Sequence, residues 1–265
     1  MNNKRLKLLN TSLGIFLDHS KFILSHEFFE TEKNFLLKDD DELKLLLKNL
    51  IEATYLFVQA PISESQLQNL CALFLARVPE IRALIGKDIQ AAYERDPSAL
   101  NAMEIVLCFP GVEAIMMHRI AYALHQLDIP ILPRLISRET HRRTSIDIHH
   151  AAKIGSDFFI DHGTGVVIGE TCIIGNDVTL YHGVTLGAKS FPKGHDDKVV
   201  RNLKRHPIIE DGVIIYSNST ILGRVTIGTK SVIGANVTVM EDLRPGSRIY
   251  QQKYQQDTFE NGMGI

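Results

Sequence analysis

An aspartate and a histidine, Asp161 and His162, stand next to each other inside the stretch FFIDHGTGVVIGETCIIG, at residues 158–175. A second aspartate, Asp147, precedes them in the same half of the chain. A carboxylate that contacts an imidazole fixes its tautomer and stabilises the imidazolium that forms when the ring takes a proton. The group therefore predicts a general base with a supporting carboxylate. The alternative is a set of solvated polar residues at a corner.

The elements that must carry these residues follow a six-residue repeat. From Ile148 onward every sixth residue is aliphatic or cysteine, and the series resumes after one interruption. A period of six is typical of a parallel β-helix, in which three hexads form one triangular coil of about 18 residues. The repeated positions, which we expect to point into the interior, are Ile148, Ile154, Ile160, Val166, Cys172, Val178, Val184, Ile209, Ile215, Ile221, Ile227, Ile233 and Val239.

This repeat gives the histidine an outward position. His162 comes two residues after the interior Ile160, so we expect its side chain outside the coil, near a corner. Asp147 lies almost one coil earlier, which predicts that the two residues occupy neighbouring coils and come into contact. Cys172 takes an interior position and is predicted to be a small buried hydrophobic residue rather than a reactive thiol.

One segment breaks the repeat. The chain from Val184 to Ile209 is one position longer than four hexads, and the sequence between them lacks the pattern. A charged segment of this length that leaves a regular coil predicts an extruded loop, at about residues 187–206. We expect the β-helix to span residues 144–250, followed by a flexible polar tail at 251–265.

Residues 1–143 have a helical period. In DDDELKLLLKNLIEATYLF, apolar residues recur every three or four positions. Ser63 and Gln66 have the spacing of a capping box. Another helix is predicted from Pro110 onward. Pro97 disfavours a helical conformation at Asp96 and so predicts a bend there. The fold class is therefore α+β, with a helical N-terminal domain followed by a parallel β-helix that has an extruded loop.

The overall composition argues against several classes of protein. A net charge of −2 over 265 residues gives no electrostatic reason to expect nucleic acid or an anionic membrane as a partner. No apolar run approaches the roughly 20 residues of a membrane helix. Three separated cysteines fit the reducing cytosol, and the 11 histidines show no compact zinc spacing. We therefore expect a cytoplasmic protein without a metal and without nucleic-acid or membrane partners.

Four motifs make the β-helix more specific than a generic repeat. They are RDP at residues 95–97, DIH at 147–149, DHGTGVVIGET at 161–171 and RHP at 205–207. With the sequence around them, over roughly residues 80–250, they resemble serine O-acetyltransferases of the hexapeptide acyltransferase family. The resemblance implies a left-handed β-helix. It also implies transfer of an acetyl group from acetyl-CoA to the hydroxyl of L-serine, the first step of cysteine biosynthesis.

The resemblance assigns roles to the matching residues. His162 would be the general base that deprotonates the serine hydroxyl, supported by Asp147. The charges suit a zwitterion independently, because its ammonium needs carboxylates and its carboxylate needs a cation such as arginine. The residues that would hold or adjoin the serine are Asp96, Asp161, Glu170, Arg205 and His206.

Acetyl-CoA is the co-substrate that the resemblance implies. Gly187, Ala188 and Lys204, at the two ends of the predicted loop, would contact CoA, whose phosphates suit the basic stretch around Lys204. Relatives bind CoA between the β-helices of a homotrimer, and two trimers join through their helical domains. Many such enzymes end in an isoleucine that enters O-acetylserine sulfhydrylase, so Ile265 predicts that partner.

Two departures from the family leave alternatives open. The chain has DIHH where the family often has DIHP, and the longer GAKSFPKGHDD replaces a compact GGTG loop. One alternative is an acetyltransferase for a sugar or other hydroxyl acceptor, although such enzymes usually lack the helical domain and Asp96. The other is a catalytically silent scaffold that binds a partner, against which Asp147, His162, Arg205 and His206 argue.

Overall fold

A computed structural model describes residues 3–25, 36–192, 197–201 and 203–251 of the chain. Within these ranges seven helices precede fourteen short strands. Only residue 251 of the predicted tail is described, and Ile265 lies outside the described residues. The helices are α1 (Asn3–Ser25), α2 (Leu36–Phe57), α3 (Glu64–Leu75), α4 (Val78–Arg95), α5 (Ala102–Cys108), α6 (Pro110–His125) and α7 (Leu132–Thr144).

Local sequence sets several helix ends as predicted. The backbone N–H of Gln66 donates to the hydroxyl of Ser63 at 3.2 Å, and the Ser63 N–H donates to the Gln66 side chain at 3.0 Å, which completes the capping box of α3. Pro110 occupies the first turn of α6. Helix α4 ends at Arg95, so the bend predicted before Pro97 is confirmed. No described helix is by itself long and apolar enough to cross a membrane; α5 and α6 satisfy length and composition only together, with a 77° bend between them.

The strands build a three-sided parallel β-helix of about five coils. Face A contains β1, β4, β7, β10 and β13, face B contains β2, β5, β8 and β11, and face C contains β3, β6, β9, β12 and β14. The strands are β1 (Asp147–Ile148), β2 (Lys153–Ile154), β3 (Phe159–Asp161), β4 (Val167–Ile168), β5 (Ile173–Ile174), β6 (Thr179–Tyr181), β7 (Thr185–Gly187), β8 (Ile208–Ile209), β9 (Ile214–Ile215), β10 (Thr220–Leu222), β11 (Thr226–Ile227), β12 (Val232–Ile233), β13 (Thr238–Val239) and β14 (Arg248–Ile249).

The interior of the β-helix confirms the repeat and extends it. Twelve of the thirteen predicted positions are buried, and Ile154 is partly buried against the same core. Cys172 is among the buried ones, and burial raises the pKa of its thiol to about 12. A second buried row lies two residues away from the first along each strand. In the first coils this row includes Ile168, Ile174, Leu180 and Leu186.

The first coil is longer than the three hexads that the repeat predicts. Asp147 pairs with Val167, and Val167 in turn pairs with Thr185, so the first step between neighbouring strands of face A is two positions longer than the second. The two extra residues lie in the turn between β3 and β4, where His162 and Gly163 have left-handed φ angles of 55° and 86°. This turn forms the corner between faces C and A, which we call the C–A corner. The extra residues push it outward.

The predicted loop leaves the coil between β7 and β8. Thr185 pairs with Thr220, a step almost twice as long as the regular one from Val167 to Thr185, so nearly one additional coil of sequence is inserted here. The coil nevertheless closes beneath the insertion, because Ile174 pairs directly with Ile209. The loop therefore adds to the β-helix without interrupting its stack.

A buried ion pair joins the helical domain to the β-helix. Arg119 of α6 donates to both carboxylate oxygens of Asp88 of α4, each at 2.9 Å. The same guanidinium donates to the carbonyl oxygens of Ile154 and Gly155, at 2.8 and 2.6 Å. Asp88 also accepts the backbone N–H of Phe158 at 3.0 Å. Two helices and the first coil are thus fixed by one fully buried carboxylate.

His118, next to this ion pair on α6, makes the stability of the protein depend on pH. Burial, with the nearby charge of Arg119, lowers the pKa of its imidazole to about 3. Between about pH 6.5 and that value the unfolded chain binds a proton that the folded chain does not, so stability falls as the pH drops. We expect urea unfolding to show about 2 kcal/mol less stability at pH 5 than at pH 7 from this residue alone.

The matched variant for this prediction is His118→Gln, whose side chain does not titrate. Its unfolding free energy should change less between pH 7 and pH 5 than that of the unmodified chain, by about the same 2 kcal/mol. Equal pH dependence in the two proteins would contradict the assignment to His118.

Candidate active site

The C–A corner presents the predicted base. The side chain of His162 is 77% exposed, and its Nε2 lies 4.0 Å from Oδ1 of Asp161. One coil further, the imidazole of His182 lies edge-on to that of His162, with 6.0 Å between ring centroids. A non-glycine residue in the left-handed region costs free energy and persists where the surrounding structure imposes it. The turn therefore holds an accessible imidazole outside the coil.

The loop after α4 brings Asp96 to face C. Arg95 donates to the carbonyl oxygen of Asp157 and to the hydroxyl of Thr179, each at 3.1 Å, which fastens the loop to the β-helix. Burial raises the pKa of Tyr181 on β6, and neighbouring negative charge that includes Asp96 raises it further. Asp96, the next residue along the chain, therefore lies beside face C.

Four other predicted residues line a cleft of about 640 Å³ at the opposite edge of face A, beside α7. This edge is the turn from face A to face B, which we call the A–B corner. Because the lining also includes three basic side chains of α7, we call it the cationic cleft. The predicted residues that line it are Asp147, Glu170, Arg205 and His206; the basic residues of α7 are Arg134, Arg138 and His141.

Arg205 is oriented by Glu170 and Thr171. Its Nη2 donates to Oε2 of Glu170 at 2.6 Å, and its backbone N–H donates to the hydroxyl of Thr171 at 3.0 Å. Partial burial alone would raise the pKa of Glu170, but the hydrogen bond and charge of Arg205 lower it, so the carboxylate is ionised. The buried Nε of Arg205 has no partner among the described residues. Glu170 thus fixes the direction of a guanidinium that stays partly exposed at the cleft.

His206 is held as a neutral hydrogen-bond donor. The backbone N–H of Thr171 donates to its Nδ1 at 3.0 Å, so the proton of the neutral ring is on Nε2. Burial, and then the charge of Arg205, lowers the pKa of His206 to about 4. At neutral pH the ring therefore offers an uncharged N–H to the cleft.

Gly169 leaves the space that His206 occupies. A Cβ at this position would lie 2.0 Å from Cδ2 and 2.3 Å from Nε2 of His206, which is far inside van der Waals contact. We expect Gly169→Ala to displace the imidazole and to lower kcat/KM for the acceptor about 100-fold, the usual cost of a misplacement near 1 Å. Steady-state kinetics measures this change. Gly86→Ala, where a Cβ meets nothing within 4 Å, is the control and should keep full activity.

The expected contact between Asp147 and His162 is not found. Within the described residues neither side chain is a hydrogen-bond or ion-pair partner of the other, because the lengthened turn carries His162 outward while Asp147 faces the cationic cleft. The two corners are separated by residues 165–169, which contain β4 and span at most about 13 Å. One chain therefore divides the predicted residues between two places on its surface.

The residues predicted for CoA lie around the inserted loop. Gly187 is the last residue of β7, and its carbonyl oxygen accepts the backbone N–H of Gly223 at 3.0 Å. Ala188 is partly buried and Lys204 is exposed. Their assignment to CoA stays a prediction. Among the described residues, no group of three or more His, Cys, Asp or Glu side chains is placed to hold a metal ion.

Comparison with known proteins identifies the family. Residues 39–117 match the family described as "Serine acetyltransferase, N-terminal", and residues 206–240 match "Bacterial transferase hexapeptide (six repeats)". The plasmid serine acetyltransferase of Synechococcus elongatus is 45% identical over 230 residues, which are 87% of this chain and 72% of that protein. The chain belongs to the serine acetyltransferase family.

Solved structures of serine acetyltransferases share the fold. Isoform 3 from Entamoeba histolytica, in complex with cysteine, aligns with a TM-score of 0.79 at 33% identity, over 93% of this chain and 84% of that one. The enzyme from Brucella abortus, in complex with coenzyme A, aligns with a TM-score of 0.60 at 34% identity, over 71% of each chain. The β-helix of this serine acetyltransferase is therefore the left-handed hexapeptide type that the sequence predicts.

Sequence reasoning missed two positioning residues of this serine acetyltransferase. Thr171 orients both Arg205 and His206, and Gly169 makes room for the imidazole. Both belong to the GET element that already pointed to Glu170, so the motif was a signal for them. The partners of Thr171 come from the far end of the loop, 34 and 35 residues later, and no repeat spacing reveals that contact.

Proposed function

We propose that this serine acetyltransferase moves the acetyl group of acetyl-CoA directly to the hydroxyl of L-serine, with His162 as the general base. The exposed imidazole held outside the coil at the C–A corner carries this proposal. His162 takes the hydroxyl proton while the serine oxygen attacks the thioester carbonyl. The tetrahedral intermediate then expels the CoA thiolate, which receives the proton from the imidazolium. The products are O-acetylserine and CoA, and the first of these feeds cysteine biosynthesis.

The charges at the two corners match the two ends of serine. At the A–B corner, the partly exposed guanidinium of Arg205 and the uncharged N–H of His206 both suit a carboxylate. At the C–A corner, Asp96 and Asp161 suit an ammonium. Glu170 holds Arg205 in place.

We further propose that the complete site forms between two chains. A single amino acid spans about 3.6 Å, whereas the two corners of one chain lie at opposite ends of β4, up to about 13 Å apart, which favours a site shared between chains. Contact between the C–A corner of one chain and the A–B corner of the next would bring the ammonium and carboxylate sites together. Repeating that contact around a threefold axis closes a homotrimer. Acetyl-CoA would then lie in the groove between chains, beside Gly187, Ala188 and Lys204.

Mixing two inactive variants tests the shared site. His162→Ala and Arg205→Ala chains damage opposite corners, so each alone should have little activity. Unfolding and refolding them together in equal amounts should restore roughly a quarter of full activity, because about one contact in four then joins two intact corners. No recovery, with the variants shown to co-assemble, would place the site within one chain.

A panel of acceptors tests the substrate. We expect release of the CoA thiol with L-serine and none with sugars, because a sugar offers neither an ammonium nor a carboxylate to the two corners. Turnover with sugars alone would favour the alternative hydroxyl acceptor. Absence of thiol release with every acceptor would favour a partner-binding scaffold.

Three further expectations from the sequence belong to the proposal. They are a dimer of trimers, a cytoplasmic location and binding of O-acetylserine sulfhydrylase through Ile265. Their support is the resemblance and the sequence of the tail. Deletion of Ile265 should abolish co-elution with the sulfhydrylase and leave acetyl transfer unchanged.

A further inference from the structure

Two tyrosines continue the row of side chains that begins at Asp161 on face C. Asp161 and Tyr181 are direct partners in the pairing of β3 with β6. In the next coil, the ring of Tyr216 stacks on that of Tyr181 with 4.8 Å between centroids and 19° between planes. Each of these residues follows a buried interior position, so all three side chains point outward. They form one column parallel to the axis of the β-helix.

The position of Tyr181 in this column determines which face of its ring is available. Tyr216 covers the face that is directed toward the following coils. Because Tyr181 lies between Tyr216 and Asp161 in this column, its other face is on the side of Asp161. Tyr181 is only partly buried, and among the described residues no aromatic ring stacks on this second face.

The carboxylates of Asp161 and Asp96, on this side of the ring, can each accept further hydrogen bonds. Asp161 accepts no side-chain hydrogen bond among the described residues, and its nearest basic atom is Nε2 of His162 at 4.0 Å. Asp96 binds the N–H and hydroxyl of Ser98 with Oδ1, at 2.8 and 2.7 Å, which leaves Oδ2 free. Both carboxylates add to the negative surroundings that Tyr181 experiences. An aromatic face beside two unpaired carboxylates is the environment that an alkylammonium prefers.

We propose that Tyr181 is a specificity-determining residue that receives the ammonium group of the acceptor on its open face, between the carboxylates of Asp96 and Asp161. Tyr216 supports the ring from behind. The proposal rests on the proposed function, in which these carboxylates bind the ammonium, and adds the aromatic wall of that site. It explains how the enzyme would favour an amino acid over a hydroxy acid of the same length.

A graded series at position 181 tests the contact without changing its shape. Phenylalanine and its mono-, di- and trifluorinated analogues keep the ring and progressively weaken the negative potential of its face. We expect KM for L-serine to be nearly unchanged in Tyr181→Phe and to rise stepwise with fluorination, about tenfold in total. kcat and KM for acetyl-CoA should stay constant. A KM for serine that does not change with fluorination would overturn the proposal.

An acceptor without the ammonium provides the second readout. With 3-hydroxypropionate the fluorinated series should show no trend, and Tyr181→Leu should lower the preference for serine over this acceptor about tenfold. Tyr250→Leu, in the same column at the last coil and 60% exposed, is the control and should change neither value. If Tyr181→Leu leaves the preference for serine over 3-hydroxypropionate unchanged, the proposed role of Tyr181 is wrong.

The variant Asp161→Asn distinguishes failure of the aromatic contact from failure of the proposed ammonium site. A raised KM for serine in Asp161→Asn, with no effect along the position 181 series, would refute the aromatic contact alone. Unchanged serine kinetics in Asp161→Asn would refute the ammonium site itself, and the proposal with it.

Discussion

Replacement of His162 by alanine is expected to lower kcat about 1,000-fold, within the range that loss of a general base causes. Without the imidazole, the hydroxyl proton must pass to water as the oxygen attacks the thioester. KM for serine should change little, because the carboxylates and cations that hold the acceptor remain. The side chain is 77% exposed, so the free energy of unfolding should be unaffected. Stopped-flow or steady-state thiol release gives kcat directly.

His182→Ala is the matched control for this variant. It removes an imidazole from the same corner, one coil further along, whose centroid is 6.0 Å from that of His162. Its kcat should fall by less than about tenfold, since the base itself remains. Equal losses in the two variants would show that the corner acts as a unit. An unchanged kcat in His162→Ala would mean that the base lies elsewhere.

Replacement of Arg119 by methionine is expected to destabilise the protein by about 3–5 kcal/mol, because it leaves the buried Asp88 carboxylate without its counter-ion. The carbonyl oxygens of Ile154 and Gly155 lose their donor at the same time. Urea unfolding at neutral pH, followed by circular dichroism, measures the change. The loss should appear in helix and β-helix together, because Phe158 of the first coil shares the same carboxylate.

The double variant Asp88→Asn with Arg119→Met separates charge from packing. It removes both charges and keeps an oxygen that accepts the Phe158 N–H, so it should be more stable than Arg119→Met alone. Lys48→Met is the control for ion pairs in general. The Lys48–Glu64 pair has a short contact of 2.7 Å but is exposed, and its loss should change stability little. A double variant no more stable than the single one would contradict the role of the charge.

The sequence predicts the periodic part of this fold well. Interior positions such as Ile221 and Ile233 repeat because every hexad repeats the same backbone geometry, and Ser63 and Gln66 cap α3 through contacts only three residues apart. The lengthened first coil was not predicted, although the sequence contains it. The six-residue series passes from Ile160 to Val166 without a visible break, because it moves there from one buried row to the other.

The sequence indicates candidate residues for the site but not their arrangement. Proximity in a β-helix depends on the number of residues per coil, so two additional residues at one turn separate Asp147 from His162. The contacts of Arg205 and His206 with Thr171 join the far end of the insertion to the turn between β4 and β5, and sequence distance across an insertion carries no information about spatial distance. Tyr181 gave no signal, since an outward tyrosine on a strand is ordinary.

The coil closes beneath the loop, so the stacking of the coils does not depend on the length of that loop. Because Ile174 pairs directly with Ile209 beneath the loop, we expect the solenoid to tolerate exchange of the segment between β7 and β8. Thr171 anchors the returning chain at Arg205 and His206, so those side chains keep their place when the segment changes. Exchange of the loop among homologues would thus change how easily substrates reach the catalytic surface. The stacked coils would continue to stabilise the fold. The insertion is a module that evolution, or an engineer, can replace.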